Sequence, residues 1–584
     1  MRFNRIFAAL LAALMLAASL TGCSGAANEP DKPAATAAPT AEPATTPAPT
    51  PEPTPAPEEP PVRMRNGGSL CFLPEEPIDI PNLSEMVYTR PDSEALIAKI
   101  EALTEKAAVC QDPAELLDDY YEIAVLVNRY ATMISLAYYR FSTDIFDEYF
   151  SEEYDRCDEN GSAIDEKLNE LYAVFAASPF RNILEAEYFG EGFFRDYEDF
   201  NTADDTFLEH KKRENDLLFR YYELSGNADF STYRGIEKSR GEIGGVFIEL
   251  IKVRREIAAA KGYDNYMDYA YACEYKRDFT TDRAKEYLEL VRTRLAPLLE
   301  NRKITEEYSY YSDWRESKTV EILSSAAQKM GGPVWEAFRF MIDHELYDIS
   351  YSNNKLSTAY TSYLADYESP FIFVDPGAKD LLIAMFHEFG HFTDAYVNYG
   401  LSGDLELSEI YSQAMVYLAF AYGEPFSDSA RETNLRATLA ELLTGSIIRM
   451  AAYGDFELRV YSLAPEELSL DAIDEIYAQC MKDYGLAGLI GIEYTKIYWV
   501  AYHHFFDYPG YVISYSISAV PAVQICRLEA EEPGAGVEAF CRLLGRTRGK
   551  RFTAVLAEAG LDSPFDAAAF DGLAEFLKAV FEMN

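Results

Sequence analysis

Residues 370–400 read PFIFVDPGAKDLLIAMFHEFGHFTDAYVNYG. The run Pro370 to Val374 is continuously apolar, with aromatics and β-branched residues, and Asp375-Pro376-Gly377 closes it. That composition predicts a buried strand followed by a turn. From Lys379 or Asp380 onward, Leu382, Met385, Phe386 and Phe389 recur at helical spacing as far as about Tyr399, and Gly400 stands where a helix would stop. The segment is therefore a strand, a turn and a helix, and the middle of that helix carries His387-Glu388-Phe389-Gly390-His391. Residues four apart share a helix face, so His387 and His391 can offer two imidazole nitrogens to one ion. Glu388, one residue round, can reach a water on that ion without competing as a ligand. The bland alternative is a helix with two satisfied histidines. Only six histidines occur in 584 residues, so two at this spacing beside a glutamate weigh against it.

A catalytic zinc needs a third protein ligand and one open position. Downstream, Asp404 opens a further helical pattern that Gly423 and Pro425 end. Glu406 and Glu409 are the candidate third ligands; Glu409, one turn inside the helix, would be the better fixed. Asp394, a turn beyond His391, either orients that imidazole or faces solvent. A second histidine cluster lies in WVAYHHFFDYPGYVISYSIS, residues 499–518, where His503 and His504 precede Tyr508, Tyr511 and Tyr515. Neutral imidazole and phenol donors suit the oxyanion that forms when water attacks a carbonyl. In a chain with 43 tyrosines the same segment also reads as aromatic core.

Outward from these motifs the chain is patterned as helix. Apolar residues recur at helical intervals through 92–108, 116–140, 165–177, 206–224, 235–261 and 281–300. Asp112-Pro113-Ala114-Glu115 has the order of a helix start. Seven cysteines beyond Cys23 are scattered without a Cys-x-x-Cys pair, which excludes a zinc ribbon and a dense disulfide framework. One disulfide is compatible with that count, and nothing selects its members.

The N-terminus bears on location. Arg2 and Arg5 precede a short apolar run, and Leu20-Thr21-Gly22-Cys23 follows. This is the layout of a secretory signal, and its end is similar to a bacterial lipobox in which Cys23 is lipidated. We expect residues 1–23 to be a lipoprotein signal peptide and 24–66, rich in Pro, Ala and Thr, a disordered stalk. Residues 67–350 would form an N-terminal helical region and 351–584 the catalytic region. The formal charge of −45, from 97 acidic against 52 basic residues, repels phosphate backbones and anionic lipid. The expectation is an extracytoplasmic body, with no nucleic-acid partner and membrane contact only through the anchor.

Taken together, these residues resemble the M3 family of zinc oligopeptidases, nearest its oligoendopeptidase F branch. HEFGH at 387–391 is that family's commonest form of the motif. EIYSQAM at 409–415 is similar to its Glu-Leu-Pro-Ser-Gln-Leu-Met segment, which places the third ligand on Glu409. YGDFELRVY at 453–461 and HFFDYPGYVISY at 504–515 resemble its Phe-Glu helix and its C-terminal His/Tyr segment; YATMISLAYYRFSTD at 130–144 is similar to part of its N-terminal helical domain. The interval from His387 to Glu409 is about six residues shorter than the family's, which demands a tighter loop. The resemblance implies a mainly α, zincin-like helical ellipsoid with a deep substrate channel and a small β-sheet near the active site. It also implies one Zn2+ held by His387, His391 and Glu409, with Glu388 as the base and short unstructured peptides as substrates. An ungapped alignment would take His503 and Tyr508 as oxyanion donors; the branch's Phe-Phe-x-x-Pro pattern takes His504 and Tyr511, with Tyr515 in both. The alternatives are a helical zinc carboxypeptidase or dipeptidase, which needs a cationic subsite for a terminal carboxylate, and a peptide-binding lipoprotein without catalysis. Glu388 counts against the last, because binding alone needs no base.

Overall fold

Many helices of the body begin where the sequence supplies an acceptor side chain for the free N–H groups of a first turn. The computed structural model describes residues 78–582 apart from 190–192, 198–204, 301–314, 378–379, 402–403, 490 and 547–549. The expected signal peptide, Cys23 and the stalk lie outside the described residues. Helix α1 (Ser93–Val109) is capped by Asp92, which accepts from the Ala95 N–H. Asp147 caps α3 (Glu148–Ala177), and Thr232 caps α4 (Tyr233–Ala260). Between α1 and α3 lies α2 (Ala114–Thr143), whose first N–H bonds Asp112 at 3.0 Å.

The first three helices build a core of their own from Leu96, Ile100 and Leu103 of α1, Leu116, Tyr120 and Ile123 of α2, and Leu171 and Phe175 of α3. The 30-residue α2 then leaves it and enters the main core with Met133, Leu136, Tyr138 and Tyr139. Its Tyr139 ring packs edge-on against Phe371, and Tyr138 lies 5.1 Å from Tyr360. A single rigid helix thus connects the N-terminal core to the sheet. Helix α3 starts 17 residues before the apolar pattern suggested. Its early turns bury a charge, Glu153, which accepts from Arg90 Nε and Tyr88 at 2.8 Å each. A satisfied acid at a core position breaks the periodicity on which a pattern depends.

The sheet has three strands, β1 (Tyr347–Asp348), β2 (Ala359–Leu364) and β3 (Ser369–Val374), in the order β1-β3-β2. Central β3 is parallel to β1 and antiparallel to β2, with Thr361 opposite Ile372. Every residue of β3 is buried, which explains its unbroken apolar run. Helix α5 (Leu381–Asn398) follows β3 and packs on it, and α6 (Leu405–Tyr422) lies along α5. Asp380 and Asp404 cap the two, and Tyr399 (φ 54°), rather than Gly400, takes the left-handed position that ends α5. Phe386, Phe389 and Phe392 are fully buried, each stabilising the body by about 1.5–3 kcal/mol. Two later helices complete the surroundings of the site: α7 (Met450–Tyr461) and α8 (Ile513–Glu531), which packs on α6.

Among the described residues all six cysteines are free thiols, and no helix is long and apolar enough to cross a membrane.

Candidate metal centre

Gly390 lets the two central helices meet. A Cβ built there would collide with the Tyr411 carbonyl oxygen and lie 2.6 Å from Ser412 Cα. Any larger residue would separate α5 from α6. The close approach brings Glu409 of α6 to the histidines of α5: the donor atoms of His387, His391 and Glu409 all lie within 4.8 Å of one another. His387 Nε2 is 3.9 Å from Glu409 Oε2 and has no hydrogen-bond partner among the described residues.

The electrostatics suit ligation. Burial, and for His387 also its neighbour His391, pushes both imidazoles down, His391 to about 4. Both are therefore neutral at ordinary pH, the form that binds a metal. Burial raises the Glu409 carboxyl to about 8, opposed by the Ser412 hydroxyl, which donates to it at 3.2 Å. A dication at this point would reverse that shift.

Glu388 is buried beside the three. Burial, with the charge of Glu409, pushes its carboxyl well up, while Thr361 pulls it down by donating to Oε2 at 2.9 Å. Thr361 belongs to β2, a strand the sequence reading passed over, because Ala-Tyr-Thr-Ser-Tyr-Leu lacks the apolar weight of β3. The sheet thus supplies the residue that orients Glu388. Around His391, Ser408 Oγ sits 3.3 Å from Nδ1, which leaves Nε2 toward the other donors. Asp394 does not face solvent: it is buried and ion-paired with Arg546, and Asn398 donates to it at 2.9 Å.

Glu406 points elsewhere. It is buried against Arg277, whose Nε donates to Oε1 at 2.7 Å, and the Ser514 hydroxyl donates to the same oxygen at 2.7 Å. Its charge is already neutralised, and it is absent from the three-residue donor cluster.

The His/Tyr segment divides in two. His503 is about one-third exposed and its Nδ1 lies 3.3 Å from Asp507. His504 is buried, with its ring centroid 5.6 Å from that of Tyr511 and 6.0 Å from that of Tyr515. Both nitrogens of His504 and both phenol oxygens lack hydrogen-bond partners among the described residues. Burial lowers the His504 imidazole and raises both phenols well above their usual range, the latter helped by the charge of Glu409. All three remain neutral, the two phenols near the carboxylate that joins the histidine pair and His504 beside the phenols. Buried polar atoms without partners are rare in folded proteins. One such atom here, His387 Nε2, belongs to the metal-competent cluster, and the other four lie on His504 and on the two phenols that feel the charge of Glu409. Tyr508, the other alignment's choice, is only partly buried against the main core.

Two further residues escaped the sequence reading, Arg277 and Glu457. Glu457 lies in the YGDFELRVY segment, is buried, and accepts the Gly510 N–H at 2.9 Å. Nothing in the local sequence around Arg277 distinguishes it, since its partners are 129 and 237 residues away.

Residues 83–201 match the family model of the Peptidase M3 N-terminal domain, the stretch that holds the separate N-terminal core. No curated protein matches the chain. Among solved structures, PZ peptidase A with an inhibitor superimposes at a TM-score of 0.72 and 21% identity, over 86% of this chain and 99% of that one. A Bacillus anthracis protein assigned as an oligoendopeptidase F does so at 0.69 and 22%, over 86% and 98%. The body therefore has the mainly helical, zincin-like fold of these peptidases, with the small sheet set against its metal-competent helix.

Proposed function

We propose that the protein is a zinc-dependent endopeptidase that hydrolyses short unstructured peptides outside the cytoplasmic membrane, tethered through lipid on Cys23. One observation carries the reading: a buried two-imidazole, one-carboxylate cluster whose carboxylate acts on two buried phenols, Tyr511 and Tyr515, that have no partner outside their own pair among the described residues. Two nitrogens and one carboxylate oxygen with an open position form the donor set of catalytic zinc sites. The match to an M3 peptidase domain and the fold shared with oligopeptidases support peptide substrates.

His387, His391 and Glu409 would hold the ion. When bound, zinc supplies a Lewis acid that makes water a nucleophile near neutral pH and polarises the scissile carbonyl. Glu388, steadied by Thr361, accepts the proton of the attacking water and returns it to the leaving amine. Tyr511, Tyr515 and His504 donate hydrogen bonds to the oxygen on which negative charge develops. The acidic surface would draw cationic peptides inward.

The deciding experiment is a mass-spectrometric digest of a mixed peptide pool, with metal analysis of the same sample. Internal cleavages that stop with a chelator and return with zinc are the expected result. Release of C-terminal residues alone would replace the endopeptidase with a carboxypeptidase, and intact peptides bound without cleavage would leave only a binding protein.

A further inference from the structure

Tyr511 and Tyr515 pose a question of placement. Among the described residues their hydroxyls have no partner outside the pair they form, so where they point is set by the backbone that carries them. That backbone is fastened at three places within six residues. The Tyr275 hydroxyl donates to the Pro509 carbonyl at 3.1 Å. Glu457 accepts the Gly510 N–H, at a left-handed φ of 86° where a Cβ would come 2.9 Å from Met267 Cε. The Ser514 hydroxyl accepts from Arg277 Nη2 at 2.6 Å and donates to Glu406 at 2.7 Å. Tyr511 stands between the second and third ties, and Tyr515 directly follows the third.

The first and third of these ties converge on one guanidinium. Arg277 lies 4.2 Å and 4.7 Å from the ring centroids of Tyr271 and Tyr275, so the tyrosine that holds Pro509 also covers Arg277. Its other bond goes to Glu406, one helical turn before Glu409 on α6. The chain of contacts therefore runs from the helix of the third ligand, through Glu406 and Arg277, to Ser514 and the tyrosines. If stability alone were needed, an apolar pair of similar volume would serve as well as this buried ion pair.

We propose that Arg277, with Glu406 and Ser514, is a positioning unit that fixes the distance between the metal-binding helix and the hydroxyl donors Tyr511 and Tyr515. The inference rests on the peptidase reading above. The three residues bond one another and stand outside the metal-competent cluster, so loss of the unit should act on transition-state stabilisation and spare ground-state binding.

The test uses three variants of the full chain. Ser514→Ala removes only the bridging hydroxyl and suits the first turn of a helix. Arg277→Met with Glu406→Gln removes the tie without stranding a buried charge. Both should keep full zinc content and KM within about twofold while kcat falls ~10-fold or more, a part of the 10²–10³ that one oxyanion donor is worth. The third, Tyr515→Phe, is made in the parent and in the tie-free background. Its penalty should shrink several-fold in the second, because a misplaced hydroxyl has little left to lose. An undiminished Tyr515→Phe penalty, or unchanged kcat in both tie variants, overturns the positioning role and leaves the peptidase reading standing. A Tyr515→Phe that is silent in the parent overturns both the tyrosine's role and this inference.

Discussion

Gly390 and Tyr411 touch backbone to backbone, and this contact sets the distance between the histidine helix and the glutamate helix. Gly390→Ala should force α5 and α6 apart. Overpacking of this kind destabilises by about 1–3 kcal/mol. Here it should also weaken zinc, because Glu409 rides on the displaced helix. Gly241, inside α4, has open space where a Cβ would stand. Gly241→Ala should therefore stabilise by roughly 0.5–1 kcal/mol. Thermal melting with chelator-competition titration measures both, and full zinc affinity in Gly390→Ala would refute the spacing argument.

Three glutamates on or beside the site should separate by phenotype. Glu388→Gln keeps zinc and loses at least ~10²-fold in turnover, as removal of a general base does. Glu409→Gln loses zinc. Glu406→Gln leaves the Arg277 guanidinium buried without its charge partner, a class of change that destabilises by about 3–5 kcal/mol. It should lower the melting temperature with zinc still bound. Metal loss in Glu406→Gln but not in Glu409→Gln would exchange the assignments.

What the sequence made legible follows from range. Strand β3, the turn and helix α5 are coded within 31 consecutive residues, so the histidine pair and its context could be read locally. Glu409 needed only the next helix. The partners that tune the site are coded nowhere near it: Thr361 is 27 residues from Glu388, and Arg277 is 129 from Glu406. Strand β2 carries too little apolar weight to be recognised, although it pairs with β3 and buries Thr361. The reason for glycine at position 390 is equally invisible, since the backbone that excludes a Cβ belongs to another helix. His503 and His504 are neighbours in sequence, and only the fold separates one paired with Asp507 from one facing two phenols.

Thr361→Val tests the link between sheet and base. The hydroxyl bond favours the ionised carboxylate of Glu388, so losing it raises that group's pKa. Glu388 works as a base in its ionised form, and the acidic limb of kcat/KM should therefore move to higher pH. At pH values below that limb turnover should fall by about 10-fold for a shift of one unit, with zinc retained. An acidic limb that stays in place would mean Thr361 does not act through Glu388.

Cys23→Ala tests the anchor. If Cys23 carries lipid, the variant should be released or left unprocessed, while the body hydrolyses peptides as before. Fractionation of cells followed by a peptidase assay on each fraction measures this. A variant that remains wholly with the membrane would remove Cys23 from the anchoring role.

The last prediction concerns the donors whose role the bland aromatic-core reading disputes. Tyr515→Phe keeps the ring and its edge-on packing against Tyr511 at 5.1 Å, and removes only a hydroxyl that has no partner beyond Tyr511 among the described residues. Zinc content and melting temperature should therefore stay near the parent's. If that hydroxyl is reserved for the developing oxyanion, kcat should fall ~10²–10³-fold with KM little changed. His504→Gln should behave likewise, because both ring nitrogens of His504 are buried without partners. His503→Gln should be mild, since His503 is partly exposed and already engaged with Asp507. A large loss for His503 with a small one for His504 would move the catalytic role to the neighbouring residue. Full activity in Tyr515→Phe would reduce the segment to core packing around the metal-binding helix.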